Sequence, residues 1–177
     1  MEDKYFGLVN TVVGGLIGLI VGFFTSWYQN RFEAKRDQRS FERSKLEKIK
    51  SEEINNCIEL KEDIRLWMRS WIQIVDFDNQ SLKEQGKLTR IPENLNQDFF
   101  ELGISINALA AKILDDEVRE MVKNLKSRNA EVMAKVIVTE DIKKKLSINA
   151  SAFIELTQLA NAAGELIDAY QRKLIQQ

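Results

Sequence analysis

Residues 5–29 read YFGLVNTVVGGLIGLIVGFFTSWYQ, a stretch with no charged side chain. The segment Phe6–Tyr28 has 23 residues, or roughly 34 Å of helix at about 1.5 Å per residue. A bilayer core is about 30 Å thick, so this length predicts a transmembrane helix over 5–29. Tyr5 and Phe6 at one end, with Trp27 and Tyr28 at the other, stand where interfacial aromatic anchors belong. A cleaved signal peptide fits poorly. Its first residues, Met1-Glu2-Asp3-Lys4, are net acidic, the apolar run is too long, and no small-x-small cleavage site precedes a soluble start.

The flanks give the direction of crossing. Lys4 and the α-amino group are offset by Glu2 and Asp3, whereas Arg31, Lys35, Arg36, Arg39, Arg43, Lys45 and Lys48 follow the span. Basic residues are retained on the cytoplasmic side, which leaves residues 1–4 as a short outside tail and puts the rest of the chain inside.

Within the span Asn10, Gly14, Gly18, Gly22 and Ser26 recur every fourth residue, and Gly7, Thr11 and Gly15 form an adjacent row. Lipid supplies no hydrophobic drive for helices to pair, so association depends on the close backbone approach that small residues permit. Gly14, Gly18, Gly22 and Ser26 are therefore the expected packing surface of a homo-oligomer, a glycine zipper. Ordinary glycine enrichment in a monomeric span is the alternative. Asn10 and Thr11 are the polar side chains near its outer end. They either line a pore or are solvated at the interface.

Past the span the sequence is that of long helices. The chain holds 26 Lys and Arg, 27 Asp and Glu, one cysteine, one proline and no histidine. A net charge of −1 gives no bulk drive toward nucleic acid or a membrane surface, and a lone cysteine excludes an internal disulfide. Residues 30–45 are polar and rich in i, i+3 charge pairs such as Glu33–Arg36 and Glu42–Lys45, which predicts a solvated helical stalk. From residue 46 to 177 amphipathic periodicity predicts a bundle of about four helices, and no stretch alternates with period two. The first helix is read from Leu46, Ile49, Ile54, Cys57, Ile58, Ile64, Trp67, Met68, Trp71, Ile72 and Val75. A long loop is expected at about 77–94, around Gly86 and Pro92. The second helix carries Phe99, Leu102, Ile106 and Leu109, and the third follows Asp115-Asp116-Glu117, a charge pattern suited to a helix N-terminus. The last shows Phe153, Leu156, Ala160, Ala163, Ile167, Tyr170 and Leu174 at three-four spacing.

Chemistry is sparse. The lack of histidine removes histidine acid–base catalysis and His-containing zinc sites. Asp76-x-Asp78 opens like a calcium loop but has Ser81 where the turn glycine belongs. Cys57 falls on an apolar face as a small hydrophobe. The reading is of a protein that is not an enzyme, with no catalytic residue, metal or cofactor. Two features point to an anionic ligand. Arg65 and Arg69 interleave with Trp67 and Trp71, a pattern that can stack bases and hold phosphates. Lys143, Lys144 and Lys145 extend a basic series from Lys123, Lys126, Arg128 and Lys135. Core tryptophans with solvated arginines, and a plain solvated basic face, are the competing readings.

The order of parts, a glycine-rich span VVGGLIGLIVG, a basic stalk RFEAKRDQRSFERSK and a small helical domain, resembles the compact membrane effectors of bacterial anti-phage systems, including Hailong-type channel subunits. The resemblance implies a bacterial inner-membrane protein with an oligomeric, ion-conducting span. A cytoplasmic domain sensing a nucleotide or oligonucleotide would gate it. The alternative is a non-conducting membrane-anchored scaffold whose bundle docks a protein partner.

Overall fold

The computed structural model describes residues 2–176, with side chains from residue 21 onward. Four helices, α1 (Glu2–Gln85), α2 (Glu93–Lys112), α3 (Asp116–Val138) and α4 (Ile142–Gln176), account for nearly all of it. No strand occurs among the described residues, so the chain is all-α. It divides into two compact units, Met1–Ile49 and Lys50–Gln177.

In the first unit α1 is helical with every described side chain exposed from residue 21 to 49. A few local contacts lie along it. Gln38 donates to Glu42 at 3.2 Å and Arg31 lies 5.3 Å over the Trp27 ring, while no glycine or proline occurs between Phe23 and Gln85. Leu46 and Ile49, expected to open the amphipathic face, are 66% and 42% exposed. Burial begins at Glu53.

The second unit is a bundle of four helical segments, the C-terminal part of α1 with α2, α3 and α4. On α1 the buried seam is Glu53, Cys57, Leu60, Ile64, Trp67, Trp71, Ile74, Asp78 and Ser81. The steps alternate four and three throughout, the repeat that keeps one line of a helix against its neighbours. Val118, Val122, Leu125, Asn129, Val132 and Val136 continue this pattern on α3, and Asn149, Ala152, Leu156, Ala163 and Ile167 form the line on α4. α2 contributes Ile106, Leu109 and Ala110, with Ile113 buried just past its end. Trp67 stacks on Phe99 with ring centroids 5.0 Å apart.

The connections follow from specific end signals. α1 stops where Gly86 takes a φ of +70°, a left-handed conformation that glycine adopts without strain, and its N–H bonds Leu82 O at 3.2 Å. Pro92 precedes α2, where its missing N–H is not needed. Asp115 caps α3 by accepting from Val118 N at 3.0 Å, and Asp141 accepts from Lys144 N at 3.0 Å at the start of α4. Thr139 closes α3, its hydroxyl donating to Lys135 O.

Two expectations are corrected. The loop placed at 77–94 is confined to residues 86–92, because α1 continues through Asp78, Ser81 and Leu82. Asp78 and Ser81 occupy core positions with polar side chains, which masks the apolar rhythm; Ser81 is satisfied by Thr89 at 2.6 Å. In α4 the buried position is Ala152, while Phe153 is 43% exposed.

The seam predicts a sharp contrast between neighbours in α4. Leu156→Ala removes a fully buried side chain and should cost about 2–5 kcal/mol. Ile154→Ala, at a position 59% exposed, should stay within about 0.5 kcal/mol. Denaturant unfolding of the full chain, followed by circular dichroism, checks both.

Candidate functional site

The expected pore-lining residues Asn10 and Thr11 and the expected packing residues Gly14 and Gly18 lie outside the residues whose side chains are described. At Gly22 an added Cβ would meet nothing within 4 Å, and Ser26 is exposed beside Phe23, Phe24, Trp27 and Tyr28. This leaves the helix face around Gly22 open. Among the described residues no helix is long and apolar enough to cross a membrane. Most of the uncharged stretch, residues 5–20, falls outside that description.

The proposed anionic-ligand residues are dispersed. Trp67 and Trp71 are 2% and 0% exposed, so their rings belong to the core and offer no surface to a base. Arg65 turns away from them to Glu62, donating from Nε at 2.9 Å and Nη2 at 2.5 Å. That bond holds the Glu62 carboxyl below its ordinary range. Arg69 lines a groove of about 470 Å³ between α1 and α2 together with Asp63, Asp98 and Glu101, an acidic neighbourhood for a single guanidinium. Lys143 and Lys144 are exposed at the start of α4, and Lys145 is half-buried near Asp78. In the rest of the basic series, Lys126 donates to Gly103 O at 2.6 Å, and burial lowers its pKa. Arg128 forks onto Glu155 at 2.6 and 2.9 Å and reaches Glu131 at 2.6 Å. These cations tie the bundle together, so they do not form one continuous basic patch.

Two features stand out that the sequence reading did not find. The first is the buried Glu53 carboxylate. Its Oε1 accepts from Leu114 N at 2.6 Å and from the Tyr170 hydroxyl at 2.9 Å. Burial, then the hydrogen bond to Glu53, raises the Tyr170 phenol well above its usual range. Burial, aided by the charges of Glu53 and Asp115, pushes the Cys57 thiol up to about 11. A protonated thiol at 0% exposure is a poor nucleophile, which fits Cys57 as a packing residue.

The second is an open groove of about 820 Å³ between α1 and α4. Its apolar lining includes Ile64, Met68, Ile72 and Ala160, and Lys61 bridges its rim to Asp168 at 2.7 Å. Gly164 keeps the α4 side low: a Cβ there would touch the Lys61 stem at 3.8 Å. Ala160 and Gly164, one turn apart, are the small residues on its α4 side. No group of three or more metal-ligating side chains occurs among the described residues. Asp76-x-Asp78 lies inside α1, where a calcium loop cannot form. No protein family, curated protein or solved structure matches the chain.

Asp78 supplies a pH test. Burial raises its pKa, and Lys145 partly opposes that shift. A folded-state pKa above the unfolded value favours folding while the group is protonated, and that contribution is lost as pH rises through the folded pKa. Asp78→Asn should therefore raise Tm by a few degrees at pH 7. The gain should shrink toward zero as pH falls below the ordinary carboxylate range. Melting curves of both proteins across pH 3–8 measure the difference.

Proposed function

We propose that the chain is a single-pass membrane protein that self-associates through its glycine-striped N-terminal segment and acts as a pore or channel-like effector regulated by its helical bundle. The observation that carries this reading is the continuity of α1. One helix, Glu2–Gln85, contains the uncharged segment, the basic stalk and the buried Trp67 and Trp71. No glycine or proline interrupts it between Phe23 and Gln85. The flanking charges orient the bundle toward the cytoplasm of a bacterial inner membrane. The reading includes no catalytic role. In keeping with the resemblance to anti-phage effectors, the regulating signal would be a nucleotide or oligonucleotide, and the context would be antiviral defence.

A second reading is favoured by the α1–α4 groove. An apolar floor with a charged rim is the shape that accepts an amphipathic helix, whose apolar face is buried and whose flanks pair with the rim. On that reading the span only anchors a scaffold that docks a protein partner.

Self-association should depend on the glycine stripe. Gly18→Leu should lower the oligomer fraction measured by light scattering in detergent, because a bulky side chain blocks close helix approach. Unchanged mass in both this variant and its Gly14→Leu double would count against the stripe. Conduction is tested separately in liposomes. The wild type should pass ions, and Asn10→Leu with Thr11→Val should abolish most of the flux while mass and insertion persist. A chain whose cellular effect survives replacement of 5–29 by an unrelated apolar helix would be an anchor and no pore.

A further inference from the structure

The stalk is charged unevenly around its circumference. At about 100° per residue, Tyr28, Phe32, Lys35, Arg36, Arg39 and Arg43 fall within an arc of about 100°. They line one shallow groove of about 740 Å³ along α1, which Ser40, Ser44 and Glu47 also line. Glu33 and Asp37 lie outside that arc, and Glu42 and Glu47 border it. Glu42 already accepts from Gln38. No ion pair neutralises Lys35, Arg36, Arg39 or Arg43 among the described residues. The face thus carries four cations outside any ion pair, two exposed aromatic rings, and two carboxylates at its edges, Glu42 and Glu47.

We propose that this face of α1 binds the phosphate headgroups of anionic phospholipids on the side of the membrane where the bundle lies. The proposal rests on the reading of residues 5–29 as a span. Two arguments choose the occupant. Complementarity is the first: a polybasic run directly after an apolar segment sits in the negative surface potential of that leaflet, where each nearby cation is worth about a five-fold factor in binding. Reach is the second. Lys35 and Arg36 lie roughly 10–12 Å along the helix from Tyr28 at about 1.5 Å per residue. The headgroup layer is about 7 Å thick on each side, and the Debye length is about 8 Å at physiological salt. Both side chains therefore fall inside the field, and the flexible stems of Arg39 and Arg43 extend back toward it. Tyr28 and Phe32 lie within the same arc, where rings settle among the headgroups. Lipid identity would then set how firmly the base of the stalk is held.

The test uses the full chain reconstituted into phosphatidylcholine vesicles containing a trace of spin-labelled phosphatidylglycerol or spin-labelled phosphatidylcholine. The wild type should hold the anionic label several-fold more strongly, and that preference should collapse in 0.5 M salt. A variant with Lys35→Gln, Arg36→Gln, Arg39→Gln and Arg43→Gln should lose it. Lys143→Gln with Lys144→Gln, exposed cations of the bundle, should keep it. Equal retention of both lipids by the wild type, an unchanged preference in the fourfold variant, or an equal loss in the bundle variant would overturn the proposal. So would a short single-stranded oligonucleotide that displaces the lipid from this face at physiological salt. Alkaline extraction separates this result from the span reading. Protein that resists extraction but shows no preference leaves the span and removes the lipid site. Extractable protein that still binds phosphatidylglycerol vesicles through the same four cations does the reverse, and extractable protein without such binding removes both.

Discussion

The bundle is organised around one buried charge. Glu53, 4% exposed, directs a single carboxylate oxygen at both the Leu114 amide and the Tyr170 hydroxyl. Three parts of the chain are joined there: α1, the connection between α2 and α3, and α4. An unpartnered carboxylate in that position would be strongly unfavourable, since burying a charge without hydrogen bonds outweighs what packing returns. The arrangement therefore works as a condition on the fold. The α2–α3 connection must present Leu114 N, and α4 must be in register to bring Tyr170 within reach. Around it Gln171 donates to Ile54 O at 3.3 Å, which fixes the α4 approach a second time, and Arg119 donates to Ile113 O at 2.9 Å, which ties α3 to the connection that presents Leu114. An apolar residue at 53 would pack against many alternatives. A carboxylate accepts few.

Polar side chains also occupy positions in the other seams. The α1 line ends in Asp78 and Ser81, the α3 line carries Asn129 at its centre, and the α4 line begins at Asn149. Asn149 donates to Asn79 at 2.7 Å and Ser81 pairs with Thr89 at 2.6 Å, so the polar positions at the Gly86 end match one another across the bundle. Polar residues in a heptad seam lower stability and specify register, because shifting the helix by a turn would strand them. Leu, Ile and Val supply much of the burial, and polar contacts such as those of Glu53 and Asn149 constrain which helices meet and at what height.

This division explains what could be read from the sequence. Helices α3 and α4 were legible because Val118, Val122, Leu125, Val132 and Val136, and Leu156, Ala163 and Ile167, keep the rhythm with apolar side chains. The C-terminal turns of α1 were not, since the rhythm there passes through Asp78 and Ser81 and reads as a break. The beginning of the seam was misplaced for the same reason. Leu46, Ile49 and Ile58 look like core by type but are exposed, while the true line starts from a glutamate. Phe153 misled through size alone; the adjacent Ala152 faces the core. For the candidate site, the tryptophans were legible as core from their spacing. The α1–α4 groove was not, because a groove depends on where two helices fail to touch, which spacing within either one does not encode. Residues 5–20, which carry the membrane and pore expectations, lie outside the described side chains, and their reading rests on sequence.

The stalk poses the opposite problem to the bundle. Its described side chains from residue 21 to 49 are all exposed, so burial cannot account for its being helical. Helix formation is limited by nucleation, with a factor of about 10⁻³, whereas extension of an existing helix is nearly neutral for residues such as Lys, Arg, Glu and Gln. Residues 50–85 are held by the packing of the bundle and provide the nucleus, so the stalk needs only to continue it. A helix sustained in this way can have a surface chosen for something other than packing. Partial charge segregation uses that freedom: Lys35, Arg36, Arg39 and Arg43 share one side, bordered by Glu42 and Glu47, while Glu33 and Asp37 lie outside it. Loosening the bundle around Glu53 would remove the nucleus as well as the core.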